Sequence, residues 1–147
     1  MPPLHPLSLF VRWAHVAGMA AILGGALLVW WLTARRSRVE GGIVVHVAER
    51  YEWIFWAAIG LQVMTGVGNL GAFGDALPAA GSAWSTKLLV KLVAVLALAV
   101  LSVPRTLVVA VMATQRRPLP RVLPALYAGT TAYVVGILGL AVWLAHG

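Results

Sequence analysis

The sequence contains no cysteine. That excludes a disulfide framework, thiolate zinc sites, iron–sulfur clusters and covalently attached c-type heme. Acid is scarce as well, with four Asp and Glu against eleven Lys and Arg in 147 residues. The acids form no intramembrane carboxylate pair of the kind a proton pump would use. Nucleophile elbow, P-loop, HExxH and dinucleotide fingerprints are all missing, which argues against a hydrolase or a nucleotide enzyme. No internal repeat or low-complexity tract divides the chain.

What is present in excess is apolar. Hydrophobic residues make up 61% and charged residues only 10% of the chain, too few polar groups to cover a water-soluble surface. A bilayer core about 30 Å thick takes a helix of roughly 20 apolar residues. Suitable runs extend from Leu9 to Thr33, Trp53 to Leu70, Thr86 to Met112 and Leu123 to Leu144. The expected fold is therefore all-α: one domain, an integral membrane four-helix bundle, with short linkers favouring up-down-up-down order. The first run has no basic stretch before it and ends in Trp30-Trp31 and Arg35-Arg36, so it reads as a retained span and not a cleaved signal peptide.

The net charge of +7 is distributed asymmetrically. Arg35, Arg36 and Arg38 follow the first run and Arg116, Arg117 and Arg121 the third, while Gly71 to Ala83 carries only Asp75. Positive loops stay in the cytoplasm, which places both termini and the Asp75 segment outside in a cytoplasmic (inner) membrane. The same asymmetry accounts for the charge without a nucleic-acid partner. Ile43 to Glu52, with His46, Glu49, Arg50 and Glu52, reads as a cytoplasmic extension of helix two with a solvated face, its partners Arg105 and the basic loops. Pro104 is expected to kink helix three or stop it. Gly18, Gly24 and Gly25 mark helix one as interior, and Thr65-Gly66-Val67-Gly68-Asn69 marks a helix end or a close approach. Trp30, Trp31, Trp53, Trp56 and Trp143 fit interfacial anchors, and Trp84 fits the outer headgroup belt.

Chemistry is expected at the outer side. At about 1.5 Å per residue, His15, Met64 and Lys91 all lie roughly 7 to 9 Å below the outer surface. Met19, four residues after His15, shares its helix face. A histidine within a membrane span needs an interior partner. Imidazole binds heme iron or copper, and thioethers suit Cu(I) or an axial heme position, so His15 with Met64 or Met19 makes a candidate metal site. The plainer alternative is a hydrogen-bonded histidine with both methionines as packing. Arg12, Lys87 and Lys91 would hold heme propionates or another anion, or snorkel to water. His46 is on the order of 30 Å from His15 and cannot share a ligand with it. His5 and His146 are terminal and read as solvated.

Arg12-Trp13-Ala14-His15 with Gly24-Gly25, Thr65-Gly66-Val67-Gly68-Asn69, the run from Trp84 through Lys87 and Lys91 to Leu92, and Pro104-Arg105 together carry a resemblance. Over nearly its whole length the chain resembles the copper-resistance CopD membrane family and, more distantly, the HemJ-type protoporphyrinogen oxidases. The CopD resemblance implies copper uptake or tolerance. The HemJ resemblance implies heme b in the bundle and oxidation of protoporphyrinogen. His15 matches the first-helix histidine of the HemJ pattern, and Glu49-Arg50 its acid–base pair before the second span. Lys87 after Trp84 approximates its tryptophan–lysine pair with the spacing one residue off. The later histidine of helix three has no counterpart between Leu92 and Val103. Lys91 and Pro104-Arg105 fit the CopD pattern.

Three functions remain open from sequence. One is a redox or cofactor protein holding heme b, with His15 axial, serving electron transfer or porphyrin oxidation beside a membrane redox partner. The second is a copper permease or tolerance factor using His15, Met19 and Met64. The third is a cofactor-free accessory subunit of a larger membrane complex.

Overall fold

A computed structural model describes residues 6–35, 41–71, 83–115 and 118–146. Four α-helices account for nearly all of them: α1 (Pro6–Ala34), α2 (Gly41–Gly71), α3 (Ala83–Gln115) and α4 (Leu123–His146). Among the described residues there is no strand. Pro6 opens α1 and Pro124 sits in the first turn of α4, positions where a missing N–H costs nothing. Pro104 lies well inside α3, which continues past it to Gln115, so it does not stop the helix.

Each helix packs against its sequence neighbours, and α4 closes back on α1. The pairings run antiparallel: His15 meets Thr65 while Gly25 meets Tyr51, Glu52 meets Arg105, and Ala94 meets Tyr133. The bundle is thus up-down-up-down. One end carries His15, the finish of α2 and the start of α3. The other carries Arg35 and Arg121. The segments containing Arg36, Arg38, Asp75, Arg116 and Arg117, together with His5, lie outside the described residues.

Three helices are long and apolar enough to cross a membrane, over Leu9–Ala34, Ser85–Gln115 and Leu123–Trp143. The chain is a membrane-type helical bundle. α2, expected to span from Trp53 to Leu70, is not among the three; its described part carries Glu49, Arg50 and Glu52. Its polar side chains are tolerable because α2 lies between α1 and α3 and turns Tyr51, Glu52, Phe55, Gln62 and Thr65 inward. α2 docks along α1 from Thr65 back to Tyr51.

Glycine explains how closely these two helices meet. A Cβ on Gly18 would sit 2.6 Å from Gln62 Nε2, and one on Gly25 would collide with the Tyr51 ring. In lipid, where apolar burial gives helices no reason to associate, such close backbone approach is a main source of packing energy. Gly24 and Gly66 face open space, so only part of the glycine content of these helices serves this contact. The core between the helices is built from Ile22, Val29, Phe55, Leu98, Tyr127 and Val134.

Candidate functional site

Two polar clusters stand out within the bundle, one toward each end. The first surrounds His15. Its Nδ1 lies 2.9 Å from Thr65 Oγ1 across the α1–α2 interface. Thr65 has one hydroxyl proton, and it is directed along its own helix, 2.7 Å from Leu61 O and 3.2 Å from Gln62 O. With its proton on its own helix, Thr65 Oγ1 is free to accept from His15 Nδ1–H. In that arrangement Nε2 is the ring nitrogen left with a free lone pair. Gln62 Nε2 donates to His15 O at 2.7 Å, made possible by the absence of a side chain on Gly18. His15 is half-buried; Gln62 and Thr65 are buried.

Of the other residues expected near His15, Lys91 is exposed but within electrostatic range of the imidazole. Arg12 is exposed at the same end, and Lys87 is half-buried one turn before Lys91. Met64 is 74% exposed on the outside of α2, while its neighbour Thr65 faces His15. Met19 packs against the apolar core. Met64 thus faces away from the imidazole, while Met19 lies one turn along α1 from His15 with its side chain against the core. Among the described residues no group of three His, Cys, Asp or Glu side chains converges. The side chains of Trp84 and His146 lie outside the described set.

The second cluster centres on Glu52 and Arg105, both nearly sealed from solvent. Arg105 donates from Nε to Glu52 Oε1 at 2.8 Å and from Nη2 to Oε2 at 3.1 Å, the bidentate fork that a planar guanidinium makes with a carboxylate. Its Nη1 donates to Thr130 Oγ1 at 2.7 Å. Glu52 also accepts from Tyr127 Oη at 2.8 Å and Thr106 Oγ1 at 2.5 Å, and Thr106 Oγ1 accepts from Trp56 Nε1 at 3.1 Å. The guanidinium lies over Phe55 at 4.4 Å, with the Tyr127 and Tyr51 rings at 5.1 and 5.4 Å. Tyr51 Oη donates to Ile22 O at 2.9 Å, so side chains of α2, α3 and α4 and a carbonyl of α1 belong to one network. A cavity of about 330 Å³ between α2 and α3, lined by Glu49, Trp53, Trp56 and Thr106, reaches Glu52.

The sequence had placed Glu52 on a solvated face with His46, Glu49 and Arg50. His46 and Arg50 are exposed and Glu49 half-exposed, but Glu52 is buried. The i, i+3, i+6 spacing puts 46, 49 and 52 on one stripe that runs from the basic end into the bundle. The Arg105 partnership was expected. Its closure by Tyr127, Thr106 and Thr130 was not, and these single hydroxyl residues carried no signal beyond being polar within apolar runs. Trp56, read as an interfacial anchor, instead donates to Thr106 and meets Phe55 edge-on with ring centroids 5.4 Å apart. Trp53 and Trp143 are exposed, 72% and 70%, as anchors are, and Trp31 carries Arg35 at 4.8 Å over its ring.

No family model matches the chain, and no curated protein and no solved structure matches it.

Proposed function

We propose that this chain is a membrane redox protein that binds heme b through Nε2 of His15, serving electron transfer or porphyrin oxidation in the cytoplasmic membrane, with the His15 end outward. The observation carrying this proposal is the hydrogen bond from His15 Nδ1 to a threonine whose own proton is already committed. An imidazole held in this way presents its second nitrogen as a lone-pair donor in a fixed orientation, which is how metal-binding histidines are supported. Within a membrane span, a histidine so prepared has a use beyond satisfying itself.

The donor set suits heme better than copper. Heme iron is held by a single histidine in many proteins, whereas a Cu(I) site needs soft donors to converge with it. Met64 faces outward and Met19 inward from their helices. Arg12, Lys87 and Lys91, at the same end, supply positive charge for two propionates. Bound heme would contribute reversible one-electron chemistry at iron. The chain's part is to donate Nε2, hold the ring through Thr65, fix the α1 backbone through Gln62, and anchor the carboxylates.

The experiment is an absorption spectrum of protein purified in mild detergent with heme supplied during expression. Wild type should show a Soret band and sharp reduced bands, His46→Ala should keep them, and His15→Ala should lose or strongly shift them while remaining folded. A wild-type protein that stays colourless with heme in excess, or a His15→Ala variant with an unchanged spectrum, overturns the assignment.

A further inference from the structure

Five of the glycines in the described helices beyond α1 would meet nothing with an added Cβ, and three of them fall on one line. Gly129, Gly136 and Gly139 would each accept a Cβ with nothing within 4 Å of it. Glycine inside a helix costs about 1 kcal/mol relative to alanine, and here no neighbour among the described residues requires it. On α4 these three alternate with Ala125 and Ala132, all five exposed on the helix exterior. The intervals along Ala125, Gly129, Ala132, Gly136 and Gly139 are four, three, four and three residues, a 3.5-residue period. That period keeps a seam against a partner helix in a left-handed crossing near +20°. The line is about 21 Å long, most of a bilayer core. Gly24, Gly60 and Gly66 are also open, but the small-residue run Ala17–Ala20–Gly24 is shorter and ends at Leu27 and Leu28, and Val63 and Met64 follow Gly60.

A second observation lies beside the stripe. A crevice of about 240 Å³ between α3 and α4 is lined by Ala125 and Gly129 and also by Ser102. Ser102 is 1% exposed, and its hydroxyl has no partner among the described residues. In hydrocarbon an unmade hydrogen bond of this kind is costly. A helix seated on the stripe would cover the crevice, with its backbone carbonyls as the acceptors within reach.

We propose that α4 joins two copies of this chain through the Ala125–Gly129–Ala132–Gly136–Gly139 stripe. A second copy is the occupant for three reasons. A seam that is small at all five positions is self-complementary, so two backbones approach closely only when both sides are small. Two copies inserted in the same direction present α4 to itself in parallel about an axis along the membrane normal, which is the symmetry of the commonest closed dimer. From Leu123 to Trp143, α4 carries no Asp, Glu, Lys or Arg, so the symmetric contact brings no like charges together. The dimer places both copies of the His15 end on the same side, and it does not depend on what His15 binds.

The absence of native cysteine makes the test direct. Single cysteines at Gly129, Ala132 or Gly136 are compared in native membranes under oxidation with single cysteines at Leu27, Ile54 or Leu96, lipid-facing sites on the other three helices. Disulfide-linked species of twice the chain mass should form from the α4 positions and not from the controls. Gly136→Ile, whose side chain meets open space in the single chain, should weaken self-association on the order of tenfold in a detergent dilution series. Equal crosslinking from all six positions, none from α4, or adducts only with other proteins would each overturn the proposal.

Discussion

Thr65 shows how much a single hydroxyl can decide. With its proton on Leu61 O, its lone pair can take the His15 Nδ1–H and leave the imidazole one free ring nitrogen. Thr65→Val keeps the shape and removes the acceptor, so it should lower heme affinity about 10- to 100-fold, the usual loss when the support of a metal-binding histidine is cut. Thr65→Ser should restore it. The readout is heme occupancy against added heme, and a Thr65→Val protein with wild-type occupancy would show that the hydrogen bond serves packing alone. At Glu52 the consequence is stability. Removing its charge strands the Arg105 guanidinium inside the bundle, at a cost of about 3 to 5 kcal/mol. Glu52→Gln should therefore lower the unfolding midpoint in a detergent titration sharply, and the double variant Glu52→Gln with Arg105→Met should recover much of the loss, since the stranded charge has gone too. Failure of the second change to compensate would mean that Arg105 contributes through its contacts with Phe55, Tyr127 and Thr130 more than through Glu52.

At the scale of elements, what was legible in the sequence divides by physical cause. α1, α3 and α4 announce themselves as long apolar runs, because a bilayer demands length and hydropathy from any lipid-facing helix. The reach of α2 back toward Gly41 was also readable, since Ile43 to Glu52 continued as an extension of helix two. The Arg105 partner of Glu52 was expected too, but the burial of Glu52 was not. Charge in a sequence says that a side chain needs a partner or water, and only the packing of Tyr127 and Arg105 around it says which. The His15 site was found by depth and residue type, yet Gln62 was passed over and Thr65 was read only as part of a helix end or close approach, although three-residue spacing of polar groups inside an apolar run was a signal that both face a neighbouring helix. Gly25 belongs to this scale as well, because it sets the distance between α1 and α2. Gly25→Ala places a methyl group into the Tyr51 ring, which also holds Ile22 O and lies over Arg105. Overpacking of that kind costs about 1 to 3 kcal/mol. Gly24→Ala, one residue away and open on its outer side, should be neutral or slightly stabilising. Equal midpoints for the two alanine variants in the same detergent titration would show that α1 and α2 can separate without loss.

For the whole molecule, the decisive quantity is which side of the membrane each end faces. The bundle is antiparallel throughout, so one assignment sets all the others. Arg35 and Arg121 lie at the end opposite His15, and the sequence adds Arg36, Arg38, Arg116 and Arg117 to the segments joining α1 to α2 and α3 to α4. Short segments rich in arginine are retained in the cytoplasm. Against this, Arg12, Lys87 and Lys91 put positive charge at the other end, but on the helices themselves and not in a connecting segment, where long side chains can reach the interface or an anionic group. Counting only the connections, the positive-inside rule predicts the basic end inward and the His15 end outward. Reporters fused at Gly147 and within 72–82 should therefore score as external, and one inserted beside Arg117 as cytoplasmic. Replacing Arg35, Arg36 and Arg38 with asparagine should increase the inverted fraction, since it removes half of the arginines named in those two segments. A cytoplasmic signal from 72–82 in the wild-type chain would turn the bundle over, placing the His15 site on the cytoplasmic side and Glu52 with Arg105 toward the outside.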